Sequence, residues 1–169
     1  MFTPARAIAR LTLDSEPGDY IGQGRRFDIT YRTDRGHTIS ADIFRRLPDG
    51  TPAQLRWILD SSSNIENQYA SVSFGTEALD IPIMRRDYPQ ARRPDFATSG
   101  FAGLEVSFQN RSANQVFGSF TIQEATFTTP DPLQSWIPLQ ILTFDAEFLQ
   151  RSENPNAPAL RGQFQYRLL

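Results

Sequence analysis

The chain has 169 residues, a formal net charge of −2 and 39% hydrophobic residues, which is enough for one domain with its own core. It contains no Cys, no Lys and a single His. Disulfides, thiolate metal sites, cysteine nucleophiles and lysine Schiff bases are therefore excluded, and a multi-histidine metal site is disfavoured. The near-neutral charge argues against a nucleic-acid-binding protein, which needs a basic face. No apolar stretch is long enough to predict a membrane span.

The start of the chain carries Arg6 and Arg10, but no apolar segment of about 7–15 residues follows them, so no signal peptide is recognisable. Together with the absence of Cys, this leads us to expect a cytoplasmic protein. An exported protein whose leader has been removed is the alternative. Residues 1–8 are expected to form a flexible N-terminus.

The dominant period of the sequence is two, which is typical of half-buried strands. Residues 25–32 and 37–44 alternate apolar and polar side chains, and the turn-forming residues 33–36 between them predict a β-hairpin. Similar alternation predicts further strands at residues 55–59, 70–74, 104–108, 116–128, 139–148 and 160–168.

No long window has the 3.6-residue period of a helix. One short helix would fit in residues 81–93, although Pro82 and Pro89 argue against it. With no internal repeat and no linker, the sequence predicts a single all-β domain, an antiparallel β-sandwich or barrel. The inward-facing positions predict a core of Phe27, Ile29, Tyr31, Trp57, Leu104, Val106, Phe108, Phe120, Ile122, Leu142, Phe144, Phe148, Leu160, Phe164 and Tyr166.

The densest local motif is the Gly- and Pro-containing segment 15–24. Its Gly22-x-Gly24 lacks the third Gly and the following helix of a dinucleotide-binding fingerprint, so a structural turn is the better interpretation. The nearby carboxylates Asp14, Glu16 and Asp19 do not match the spacing of a calcium loop. The sequence predicts no metal and no cofactor.

Two groups of charged residues deserve a functional hypothesis. Asp145 and Glu147 share one face of their strand at about 6–7 Å, a spacing compatible with a glycosidase pair and equally with two exposed acids. The arginine-rich residues 85–93, followed by Phe96, suit bidentate recognition of carboxylate or phosphate. Interspersed Asp residues favour internal ion pairing there. We assign no catalytic residue.

Four short stretches follow one another in a characteristic order. They are Ser15-x-Pro17-Gly18-Asp19-Tyr20-Ile21-Gly22-x-Gly24, Tyr88-x-x-Ala91-x-Arg93-x-x-Phe96, Arg111-Ser112-Ala113-Asn114 with Gly118-Ser119-Phe120, and Glu147-Phe148-x-Gln150-x-Ser152 with Pro158-Ala159-Leu160-x-Gly162. In order and spacing they resemble the motifs of an uncharacterised family of small, β-rich bacterial proteins that are usually exported. The resemblance implies a β-rich fold and no particular activity.

Three positions depart from that family's pattern. The two family cysteines correspond to Ala113 and Ser152, and Arg86 stands where the family has Gly. The resemblance implies that a disulfide between the loops of Ala113 and Ser152 has been lost, which favours a reducing compartment. It also implies that these two positions are neighbours in the fold.

These observations leave three functional hypotheses. The first is a non-catalytic binding module for a glycan or another polar ligand, supported by the β frame and an aromatic content of 12%. The second is an accessory subunit that docks onto a larger protein assembly. The third is a hydrolase using Asp145 and Glu147, or the single histidine, His37. Arg93 and Arg111 are also expected to stabilise loops. The candidate binding residues are Asp19, Tyr20, Tyr88, Arg93, Arg111 and Asn114.

Overall fold

The computed structural model describes residues 5–61, 68–134 and 136–169. Its regular structure is almost all β, with four short 3-10 turns at Thr33–Arg35, Glu77–Leu79, Pro94–Phe96 and Pro132–Gln134. The strands are β1 (Ala7–Ser15), β2 (Arg26–Arg32), β3 (Thr38–Arg46), β4 (Pro52–Asp60), β5 (Ala70–Gly75), β6 (Arg86–Arg92), β7 (Ala102–Phe108), β8 (Val116–Phe127), β9 (Ile141–Ser152) and β10 (Ala159–Leu168). Among the described residues, no helix has the length and apolarity needed to cross a lipid bilayer.

All ten strands belong to one sheet, in the order β2-β1-β10-β9-β8-β6-β7-β5-β4-β3. The sheet is nearly closed into a barrel, so the prediction of a single all-β domain is confirmed. Neighbouring strands are antiparallel apart from β6 and β7, which share a short parallel pairing at Ala91–Ala102 and Arg92–Gly103.

The predicted hairpin of residues 25–44 is wrong. Its two strands, β2 and β3, are joined by the 3-10 turn but form the two edges of the sheet, β2 pairing with β1 and β3 with β4. At the turn, the N–H of His37 donates to Arg32 O at 3.2 Å, and His37 Nδ1 accepts from Arg32 N at 3.0 Å. The sequence pattern predicts no strand at residues 7–15, so it does not reveal that β1 pairs with β2.

Strand β1 also changes the description of the N-terminus. Ala7 and Ile8, which fall in the segment expected to be flexible, belong to this strand, and Ala7 is buried. Residues 1–4 lie outside the described residues. The segment 81–93 contains β6 rather than the short helix considered for it.

The inner face of the sheet carries a dense aromatic core. Trp57 lies 4.8 Å, between ring centroids, from both Phe144 and Phe164, and Phe74 lies 5.1 Å from Phe120. Such rings bring large apolar areas and favourable edge contacts. Strands from opposite parts of the sheet order, such as β4 and β10, are therefore held face to face.

Thirteen of the fifteen predicted core residues are buried, and two positions differ. Phe27 is half-buried, although its ring packs 4.7 Å from that of Phe108. Leu142 is not a core residue, because the pairing of β8 and β9 slips there, so that Thr126 faces Thr143 and Phe127 faces Ile141. This bulge turns Ile141 inward in place of Leu142.

Some polar side chains are also buried, and one of them links two strands. Gln150 of β9 is fully buried, and its amide makes two hydrogen bonds with the backbone of Val106 in β7. Val106 N donates to Gln150 Oε1 at 2.8 Å, and Gln150 Nε2 donates to Val106 O at 2.9 Å. Since β6 pairs with β7 only near Ala102, the side chain supplies the hydrogen bonds that a neighbouring strand would otherwise make.

Candidate ligand-binding site

The structure brings two of the predicted binding residues, Arg93 and Asn114, into one cleft of about 500 Å³. We call it the arginine–phenylalanine cleft. It lies where β6 ends and β8 begins, and its lining includes Arg92, Arg93, Phe96, Asn114, Gln115 and Phe117.

The cleft's shape depends on the turn that follows β6. Pro94 begins the 3-10 turn Pro94–Phe96 and lies against Gly103 of β7, where a Cβ would come within 3.0 Å of the proline ring. A side chain at this position would require the proline to shift by a few tenths of an ångström. The turn then presents Phe96 to solvent, with 66% of its surface exposed.

Arg92 contributes a half-buried cation to the cleft. Its guanidinium carbon lies over two aromatic rings, 4.4 Å from the centroid of Phe101 and 4.6 Å from that of Phe117. Nη1 donates to Ala91 O at 3.0 Å. Within the part of the chain that the structure describes, no carboxylate lies within ion-pair distance of Arg92. The rings hold the guanidinium in place by cation–π contact while its remaining N–H groups stay available.

Arg93 is held by protein groups. Its Nε forms an ion pair with Glu105 Oε1 at 3.3 Å, and its Nη1 donates to Ala113 O at 3.3 Å. Its guanidinium carbon also lies 5.5 Å from the Phe96 centroid. Burial raises the pKa of Glu105, and Arg93 opposes that shift. These contacts fit the expected loop-stabilising role of Arg93, and they also fix one wall of the cleft.

The opposite rim is fixed by Glu153, which the sequence did not single out. Its carboxylate accepts a hydrogen bond from Asn114 N at 2.5 Å, and its own N–H donates to Gln115 O at 2.9 Å. The backbone of this rim is thereby anchored to the end of β9. The side chains of Asn114 and Gln115 remain exposed.

The other predicted binding residues lie outside the cleft. Tyr88 is buried, with its ring stacked 4.7 Å from Phe120 and its hydroxyl donating to Met84 O at 3.2 Å. It is therefore part of the core, and burial raises its pKa. Arg111 lies in the turn after β7, where its Nη1 donates to Gln109 Oε1 at 3.3 Å.

Asp19 and Tyr20 belong to the turn of residues 15–24. Asp19 is buried, and its Oδ2 accepts hydrogen bonds from Ser15 Oγ at 2.8 Å and from Gly22 N at 2.7 Å. A Cβ at Gly22 would lie 2.4 Å from Ser15 Cβ, so the motif requires Gly there. The segment acts as a compact structural turn, as its composition suggested, and it leaves Tyr20 exposed.

The paired carboxylates of β9 lie in two separate grooves on the outer face of the sheet. Asp145 lines one groove together with Arg10, which is paired with Asp28, and accepts hydrogen bonds from Gln163 and Gln165 at 2.8 and 2.9 Å. Glu147 is exposed in a groove that contains Arg161. Over the described ranges, no group of three or more His, Asp or Glu side chains is arranged to hold a metal ion.

Sequence reasoning identified Arg93 and Asn114 and missed Arg92, Gln115 and Phe117 as parts of the same site. Arg92 belongs to the arginine-rich segment, but nothing in that segment distinguishes it from its neighbours. The distinction comes from Phe117 and Phe101, which belong to other parts of the chain. No protein-family model matches the chain, and neither a curated protein nor a solved structure does.

Proposed function

We propose that this protein is a non-catalytic binding module that holds a polar ligand, such as a glycan, in the arginine–phenylalanine cleft. The observation that supports this most directly is Arg92, a guanidinium held over two rings with N–H groups free of any carboxylate partner among the described residues. A positioned, half-buried cation without a counter-ion favours a ligand that can accept its hydrogen bonds.

The rest of the lining fits such a ligand. Phe96 offers an exposed aromatic face, and the side-chain amides of Asn114 and Gln115 offer both donors and acceptors. Sugars present apolar ring faces and hydroxyl edges together, which matches this combination. A concave site with a few polar groups on an apolar wall is the usual form of a small-ligand site.

A glycan array followed by calorimetry of the bound glycans tests this proposal. We expect Phe96→Ser to weaken binding at least about tenfold, because the exposed ring is the apolar platform of the site. Leu133→Ser is the matched control, since Leu133 also lies on a 3-10 turn and is 85% exposed. Absence of any glycan binding, or equal affinities for wild type and Phe96→Ser, would contradict the proposal.

The accessory-subunit hypothesis is favoured by a separate feature, the connection between β8 and β9. This loop is closed by hydrogen bonds between Thr128 and Gln140, and it exposes Leu133, Trp136 and Ile137 by 85%, 76% and 53%. Adjacent exposed apolar residues are common at protein interfaces. We expect a stoichiometric partner isolated with the wild type to be lost from Trp136→Ser and retained by Phe96→Ser.

A further inference from the structure

We infer that the ligand of the arginine–phenylalanine cleft carries a carboxylate, as in a uronic acid or another acidic sugar, and that Arg92 is the residue that selects it. This inference rests on the proposed function and assigns the ligand class of that same site. It follows from how the guanidinium of Arg92 is held, and from the absence of a carboxylate partner for it among the described residues.

The contacts of Arg92 restrict the directions in which its N–H groups can donate hydrogen bonds. The two rings lie against the guanidinium at 4.4 and 4.6 Å, and Nη1 already donates to the backbone O of Ala91. All N–H bonds of a guanidinium lie in its plane, and the hydrogen bonds of Arg92 to the described residues use only Nη1, so its Nε–Nη2 edge keeps its donors. A carboxylate is planar and accepts two parallel N–H bonds from such an edge, which a lone hydroxyl cannot do.

The neighbouring cation does not compete for that role. Arg93 forms an ion pair with Glu105, which balances its charge, and its Nη1 donates to Ala113 O. Its Nε is buried and makes no hydrogen bond to the described residues. Asp95 is exposed on the turn, and Glu153 is engaged by the backbone of Asn114. Selection therefore depends on the free edge of Arg92 rather than on a general positive potential.

The distribution of the other lining groups indicates a sugar acid rather than a simple carboxylate. Phe96 can stack against the apolar face of a pyranose, while Asn114 and Gln115 can hydrogen-bond its hydroxyls. A uronate presents an apolar face, hydroxyl groups and a carboxylate on one ring. A small carboxylate such as acetate would engage Arg92 and leave the rest of the cleft unused.

The test compares each acid with its own methyl ester. Oligosaccharides ending in glucuronate, galacturonate, mannuronate or sialate, and their methyl esters, are titrated by calorimetry into wild type, Arg92→Gln, Arg92→Lys and Arg85→Gln. Arg85 is exposed and lies outside the cleft, so its variant is the matched control for the loss of one positive charge.

We expect at least one acid to bind the wild type at least about tenfold more tightly than its ester, a preference that Arg92→Gln abolishes. Arg92→Lys should keep only part of the preference, because it retains the charge without the planar fork. Arg85→Gln should behave as the wild type. Equal binding of every acid and ester, or a preference that survives in Arg92→Gln, would overturn the inference.

Absence of a preference for acids and absence of all glycan binding are distinct results. If neutral glycans bind and are lost in Phe96→Ser while no acid is preferred, the carboxylate inference is refuted and the binding module stands. If no glycan of either kind binds, the proposed function is refuted with it.

Discussion

Replacing Gln150 by Met removes both hydrogen bonds to Val106 while keeping a side chain of similar length. The N–H and C=O of Val106 would then lie unpaired inside the barrel, where Gln150 is fully buried. An unsatisfied buried polar group costs about 1–3 kcal/mol, so the two groups together predict a loss of about 2–6 kcal/mol. Since domains are stable by only about 5–15 kcal/mol, this is a large fraction of the total.

The loss is measured by urea unfolding followed by circular dichroism. Gln123→Met, the same change at an exposed position of β8, is the control and should alter the free energy of unfolding by less than about 0.5 kcal/mol. If Gln150→Met shifts the unfolding midpoint no more than Gln123→Met does, Gln150 does not supply the hydrogen bonds of a missing strand.

Gln150→Glu adds a test with a definite sign. A protonated carboxyl can accept from the N–H of Val106 and donate to its C=O, whereas a carboxylate can only accept, so burial should raise the pKa of the introduced group. A raised pKa in the folded state means that stability is greatest below the unfolded pKa and declines as the pH rises. The variant should therefore lie closer to wild type at about pH 4 than at about pH 8. Equal deficits at the two pH values would refute this.

Three further predictions concern the core, the cleft wall and the family resemblance. Phe148→Ala should destabilise the protein by about 3–5 kcal/mol in urea unfolding, because the buried ring fills the space above Gly162, and an unchanged midpoint would contradict its place in the core. Burial raises the pKa of Glu105 above its ordinary value of 4.5. The stabilisation that Glu105 contributes to the folded state is therefore fully present below pH 4.5 and declines as the pH rises. Relative to wild type, Glu105→Gln should therefore gain stability between about pH 4 and pH 7, and a relative loss over that interval would show that the ion pair with Arg93 dominates. Converting Ala113 and Ser152 together to Cys should stabilise the protein by about 4 kcal/mol under oxidising conditions only, and failure to form the bond would show that the two positions are not neighbours.

The resemblance implies that Ala113 and Ser152 are neighbours, and the structure gives the positions of both. Ser152, at the end of β9, lies opposite Val116 of β8. Val116 follows Ala113 by three positions in the chain. The adjacent residues Glu153 and Asn114 are joined by a hydrogen bond of 2.5 Å. The two loops therefore meet, whereas the identity of the family stays a prediction.

The period-two alternation determined most of the strands and the fold class by itself, because each strand has one apolar and one polar face regardless of its neighbours. The same alternation identified Trp57, Phe144 and Phe164 as core residues, and the Gly-rich composition of residues 15–24 identified a turn. It could not decide which strands pair, because pairing depends on long-range competition such as that of β1 for β2.

The arginine–phenylalanine cleft and the bulge in β9 could not be predicted from the sequence, because both depend on contacts between distant strands. Leu142 has the alternation of a core residue, and only the slip between β8 and β9 turns it away from the interior. Arg92 and Arg93 are adjacent and chemically identical, yet Glu105 from β7 neutralises one while Phe117 from β8 flanks the other. The physical reason is that a side chain's chemistry is set by the groups that surround it, and these groups come from strands far apart in the chain.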